Sequence, residues 1–233
     1  MFIFYTFLLA NCDIDVIDAS KVNIHELKLN FPHPVKITNM LDWKAFLEWD
    51  TSEKFSNKYG SYMVNANRTS YAYGKDHTSI QEFMKYSHRE HIIVMDDTRI
   101  TSKENELLNT IFDDFHIPTL FENVTYSRVL SLGGGIRGVD MMKHCVAWIG
   151  MIAGKKRWYL SDPKHQNVNS NCFQKNTDAR IQECIIEKGD IMYVPNFWWH
   201  ATCNLEPYTV AVGTQCEGSY NTNHKWKANK DEM

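Results

Sequence analysis

A chain of 233 residues, 43% hydrophobic and 23% charged, has the size of one globular domain that buries about 70% of its unfolded surface. A formal charge of -3 with no clustered basic face argues against nucleic acid as the main partner, and the basic run Lys155-Lys156-Arg157 reads by itself as a turn. Aromatic content of 13% and runs of Val, Ile, Tyr, Phe and Trp in the second half favour a β-rich domain.

Met1 to Ala10 is almost uninterrupted apolar sequence, too short for the roughly 20 residues of a spanning helix, and it leads through Asn11 and Cys12 into the acidic Asp13-Ile-Asp15. The pattern predicts a signal peptide over 1–12, cut after Cys12, with a buried first strand as the alternative. No later run is apolar for long enough to span a bilayer. Asn67-Arg-Thr69 and Asn123-Val-Thr125 are N-glycosylation acceptors, and the chain ends Lys230-Asp-Glu-Met233, one residue from the Lys-Asp-Glu-Leu retention address. These signals together predict the lumen of the endoplasmic reticulum, with secretion as the alternative. Cleavage after Cys12 leaves Cys145, Cys172, Cys184, Cys203 and Cys216, an odd set with at least one free thiol. Cys172 and Cys184 flank a turn-like polar stretch and form the candidate bridge. No Cys-x-x-Cys is present, so redox-exchange and zinc-ribbon chemistry fall away.

In chain order, a short helix is predicted over 23–29, and Phe31-Pro-His-Pro34 forces an extended segment into a strand at 35–38. Asp42 opens an amphipathic helix to Trp49, with Trp43, Phe46 and Leu47 on its buried face. A brief strand at 62–65 precedes a helix over 78–84 started by a Ser79…Glu82 capping box. A strand at 91–95 and a helix from Lys103 to Phe115, ended by Pro118, follow. From Thr125 the pattern turns to strands: 126–132, stopped by Gly133-Gly-Gly135; 139–145; 148–152 and 157–160 around a Gly turn; and 181–186, leading to Gly189-Asp190. The Gly133 run is no phosphate loop, because no Gly-Lys-Ser/Thr follows it. The reading is one domain over 13–218, mainly β with accessory helices, arranged as a double-stranded β-helix of jelly-roll type, and a polar tail over 219–233.

Three stretches carry a family likeness. Pro34-Val-Lys-Ile-Thr-Asn39 with Asp42-Trp-Lys44, Gly154-Lys-Lys-Arg-Trp-Tyr-Leu-Ser-Asp-Pro163, and Gly189-Asp-Ile-Met-Tyr-Val-Pro-Asn-Phe-Trp-Trp-His200 resemble the entry strand, central hairpin and closing motif of the JmjC (cupin-like) oxygenases. The resemblance implies Fe(II) and 2-oxoglutarate as cofactors and hydroxylation of a luminal polypeptide as the activity. On a strand, residues two apart share a face, so His-x-His places two ligands together and a His on a neighbouring strand completes the set. Carried over, the ligand positions fall on Met142, His144 and His200, and the lysine that grips the 2-oxoglutarate carboxylate falls on Lys156.

Met142 breaks the pattern, because a thioether is a soft neutral donor where Fe(II) prefers imidazole and carboxylate. Asp140 is a possible substitute, although four residues on a regular strand span about 13 Å. The expectation is therefore a luminal JmjC-like domain with a degenerate metal triad and weak or absent oxygenase activity, serving as a binding or scaffold module. The alternative is an active Fe(II)- and 2-oxoglutarate-dependent protein hydroxylase.

Overall fold

The computed structural model describes residues 12–23, 31–64, 78–95, 102–124, 127–170, 172–173 and 176–215. The strands are β1 (Asp15–Asp18), β2 (Val35–Thr38), β3 (Met63–Val64), β4 (Thr78–Ser79), β5 (His91–Met95), β6 (Ser127–Gly133), β7 (Ala147–Ala153), β8 (Lys155–Ser161), β9 (Gln182–Glu187), β10 (Ile191–Val194), β11 (Trp199–Asn204) and β12 (Thr209–Gln215). The helices are α1 (Ala45–Glu48), α2 (Ser52–Tyr59), α3 (Ile80–Met84) and α4 (Ser102–Phe112). A major sheet runs β1-β2-β10-β7-β12-β6-β5 and a minor sheet β11-β8-β9, the two-layer jelly roll expected from the sequence.

Strand periodicity sorts the side chains into layers. Along β7, Trp148 and Ile152 join the aromatic core under the helices, with Trp43, Trp49, Phe55, Phe83 and Leu108. The intervening Ile149 and Met151 face the space between the sheets and meet Trp158, Leu160, Cys184 and Ile186 of the minor sheet. Being covered on both faces, β7 reads as a continuous apolar run. Outside the minor sheet, Tyr159, Ala201 and Cys203 are covered by the excursion that carries Val168, Cys172 and Ile181. The turn from β7 to β8 is made by Gly154 at φ 76°, a conformation open to glycine. Among the described residues no helix is long and apolar enough to cross a membrane.

Several local expectations match the structure. The strand at 35–38 is β2, the strand at 91–95 is β5, and Ser79 accepts the Glu82 N–H at 3.1 Å to cap α3. Others need correction. In the segment 42–49 the regular helix shrinks to α1, and Leu47 is 73% exposed while Trp43, Ala45 and Trp49 are buried. The predicted strand 139–145 is an extended segment joined to β11 by separate bridges, Val139 to Thr202 and Met142 to His200. Helix α2 and strand β1 were not anticipated.

The cysteine assignments change most. Cys172 bonds to Cys203, and Cys184 bonds to Cys12, so the Cys172–Cys184 pair is excluded. The reason is the sheet: Cys184 points between the sheets, whereas Cys172 lies on the outer face with Cys203. Cys12 also bridges to Cys184 through the backbone, and Asp13 donates its N–H to Glu183 O at 2.7 Å. Cys12 is thus part of the folded domain, and a cut after it would remove half of a disulfide. Restoring Cys12 makes the cysteine set even, and no free cysteine occurs among the described residues. Residues 1–11, the helix predicted at 23–29 beyond Asn23, Asn67, Cys216 and the tail lie outside the described residues; so does the side chain of Asn123, whose backbone is in the turn Thr119–Val124.

Candidate functional site

His200 lies on β11, whose alternate residues His200, Thr202 and Asn204 face the interior while Trp199, Ala201 and Cys203 face outward. His144 arrives from the extended segment before β7. Its carbonyl accepts the Phe197 N–H at 2.7 Å, and the Val146 N–H goes to Asn196 Oδ1 at 2.8 Å. Phe197 adopts a positive φ of 64°, an uncommon state for a bulky residue, so the turn Pro195 to Trp198 is held in a special shape that clamps the His144 segment beside β11. Gly138 allows the same segment to lie close, since a Cβ there would sit 1.9 Å from Thr202 O.

The two imidazoles meet edge to face, with Nε2 of His144 3.0 Å from Nε2 of His200. His144 Nδ1 lies 2.7 Å from Cys145 O, and His200 Nδ1 2.9 Å from Trp198 O. A carbonyl only accepts, so each Nδ1 carries the proton and each neutral ring turns its Nε2 lone pair toward the other. Burial holds both rings below the usual histidine range, His200 at about 3 with the neighbouring His144 adding to the effect. No extra proton is therefore at hand to bridge them at neutral pH. Two nitrogens bound at right angles to one ion, each about 2.1 Å from it, are about 3.0 Å apart, so the pair has the spacing of adjacent metal ligands.

Met142 stands at the third position. It exchanges both backbone hydrogen bonds with His200, at 2.9 and 2.7 Å, so the two side chains leave the sheet on one face as direct neighbours. Its side chain is 42% exposed and opens the site to solvent. Asp140 is exposed, and among the described residues no group of three His, Cys, Asp or Glu side chains converges anywhere. The arrangement brings together Met142, His144 and His200 and leaves Asp140 out.

Lys156 lies deeper between the sheets. Residues 156, 158 and 160 of β8 face inward, and Lys156 is 1% exposed, with its Nζ 2.8 Å from Ser131 Oγ on β6. Ser131 is also 2.9 Å from His91 Nε2 on β5. Burial pulls the Lys156 ammonium down to about 7 and His91 well below the usual range, the latter with the Lys156 charge adding to it. Directly across the sheet from Lys156 sits Asn204, fully buried, with neither amide atom hydrogen-bonded; the indole N–H of Trp158 is likewise unpartnered. Among the described residues Lys156 meets no carboxylate. A buried cation beside orphaned amide and indole groups has the character of an anion site that a dicarboxylate would complete.

Sequence motifs identified His144, His200, Met142 and Lys156, but not Ser131, His91, Asn204, Asn196 or Phe197. The strand alternation of β6 and β5 was the one signal for Ser131 and His91. Nothing local marked the other three.

A profile of the JmjC domain matches residues 146–222, which include Lys156 and His200 and begin just past His144. JmjC domain-containing protein 8 of Homo sapiens is 26% identical over 200 residues, covering 76% of this chain and 73% of that protein. The bifunctional arginine demethylase and lysyl-hydroxylase psr-1 of Caenorhabditis briggsae is 26% identical over 245 residues, covering 84% of this chain and 59% of the relative. Lysine-specific demethylase JMJ21 of Arabidopsis thaliana is 27% identical over 222 residues, covering 77% of this chain and 22% of the relative.

Proposed function

Because the chain belongs to the JmjC-domain family, we propose that it is a luminal binding or scaffold module derived from Fe(II)- and 2-oxoglutarate-dependent protein hydroxylases, with a degenerate metal triad and little or no oxygenase activity. The observation that carries this reading is Met142 seated beside His200 where a third hard ligand is required. Two imidazoles and a thioether do not fit Fe(II), which takes nitrogen and oxygen donors and a facial set of three. Perturbing only the groups that support a ligand typically lowers metal affinity about 10- to 100-fold, and losing a ligand costs at least that.

The dicarboxylate site does fit. Lys156 would hold the carboxylate, with Asn204 and Trp158 supplying donors that have no other partner. When bound with iron, 2-oxoglutarate supplies the two-electron reductant for oxygen chemistry. Lys156, Asn204 and Trp158 would bind and orient the dicarboxylate between the two sheets. Disulfides Cys12–Cys184 and Cys172–Cys203 support an oxidising compartment, consistent with the endoplasmic reticulum lumen or secretion. On the outer side of the minor sheet, Arg137 over Phe173 at 5.0 Å and Lys143 over Trp199 at 4.5 Å provide aromatic and cationic contacts suited to a luminal polypeptide.

The second reading, an active protein hydroxylase, draws on the facing Nε2 lone pairs, which ask for a cation. Metal analysis of protein purified without chelators, joined to a 2-oxoglutarate decarboxylation assay, separates the two. We expect substoichiometric iron and no turnover; full iron occupancy with turnover overturns the module reading. In the same assay Met142→His should raise Fe(II) affinity at least tenfold, and an unchanged affinity would mean that position 142 does not face the metal site.

A further inference from the structure

The donor set that disfavours Fe(II) suits another ion. Three neutral donors stand on neighbouring positions: the Nε2 atoms of His144 and His200 are 3.0 Å apart, and Met142, which carries the thioether, is directly opposite His200 in the backbone pair. Opposed residues in such a pair hold their Cβ atoms about 5 Å apart, and methionine adds three rotatable bonds and a polarizable sulfur, so Sδ can join the imidazoles. Thioether with imidazole is a soft set that selects Cu(I) over the hard and borderline dications.

Charge points the same way. No carboxylate joins the three donors among the described residues, so the ion keeps its full charge in a largely buried place, and desolvation rises with the square of that charge. A monovalent ion is favoured over a divalent one on that ground, independently of donor softness. Trigonal coordination at about 2.0 Å would space the two nitrogens by about 3.5 Å, a widening of about half an ångström that rotation of the two rings supplies. No free cysteine among the described residues competes for copper, and the exposure of Met142 gives the ion a path in.

We propose that Met142, His144 and His200 form a Cu(I)-selective site at the mouth of the jelly roll. The proposal rests on the reading that the iron triad is degenerate. Its test uses the full chain, oxidised and assayed for free thiols, with Cu(I) held reduced by ascorbate under argon and competed against bicinchoninate. One equivalent is expected to bind, with both nitrogen and sulfur neighbours in X-ray absorption, and Ag(I) should compete for the same site. Met142→Leu should lower Cu(I) affinity at least tenfold, with the melting temperature and N-oxalylglycine binding unchanged. Equal Cu(I) affinity in Met142→Leu, or a copper shell without sulfur, overturns the proposal. Absence of Cu(I) binding in a chain that also lacks iron-dependent turnover sinks the copper site alone. Iron-dependent turnover sinks both, since a third iron ligand must then exist.

Discussion

At the scale of single residues, Lys156 carries a cost that the fold accepts for its pocket. Its folded value of about 7 lies below the ordinary 10.5, so between those pH values the unfolded chain holds a proton that the folded chain lacks. Stability therefore rises with pH through that window, and below it the full penalty of a buried charge is present. Lys156→Met should remove this pH dependence and stabilise the protein at pH 6 by about 1 kcal/mol or more, measured by urea unfolding, while abolishing N-oxalylglycine binding. Ser131 is not orphaned by the change, since His91 still meets it. In the parent protein the dissociation constant for N-oxalylglycine should rise roughly tenfold per pH unit above 7, because binding must then take up a proton. Retained binding in Lys156→Met would place the dicarboxylate elsewhere. Motif spacing made Lys156 legible, yet its burial was not, because a Gly-Lys-Lys-Arg run reads equally as a solvated turn until β6 and β5 are seen to cover it.

At the scale of elements, the segment from Arg137 to His144 is the part that sequence patterning described least well. Its alternation is that of a strand, and the pairing partner β11 was right in kind, but Gly138 and the clamp from Asn196 and Phe197 leave it joined at separate points. Such a segment depends on tertiary contacts rather than on ladder pairing. Gly138→Ala places a methyl group against Thr202 O, an immovable backbone atom, and should destabilise the protein by about 1–3 kcal/mol while weakening metal binding more than dicarboxylate binding. Calorimetric titration with each ligand would check the split; equal losses would argue for global damage. Elements with local signals, such as β5 and the Ser79-capped α3, were legible because capping and short-range alternation specify them. α2 escaped notice because only Phe55 and Tyr59 mark its buried face.

At the scale of the whole molecule, the start of the described chain is tied to a late strand, β9. Cys12 and Cys184 are 172 residues apart in sequence, so their bond restricts most of the unfolded chain. Cys12→Ser should cost about 2–5 kcal/mol, read from the shift in urea midpoint under oxidising conditions. A negligible shift would mean that the backbone pairing of Asp13 with Glu183 holds the segment without it. The same closure appears in the sheet, where β2 has β1 on one side and β10 on the other, with Val35 set against Tyr193. During synthesis β2 emerges long before its partner, and its edge stays open until the last quarter of the domain is made. Contacts of such high sequence separation slow folding and leave apolar strands exposed meanwhile. Closure of the barrel should therefore wait for the synthesis of β10, and a nascent chain halted before β10 should be a client of holding chaperones.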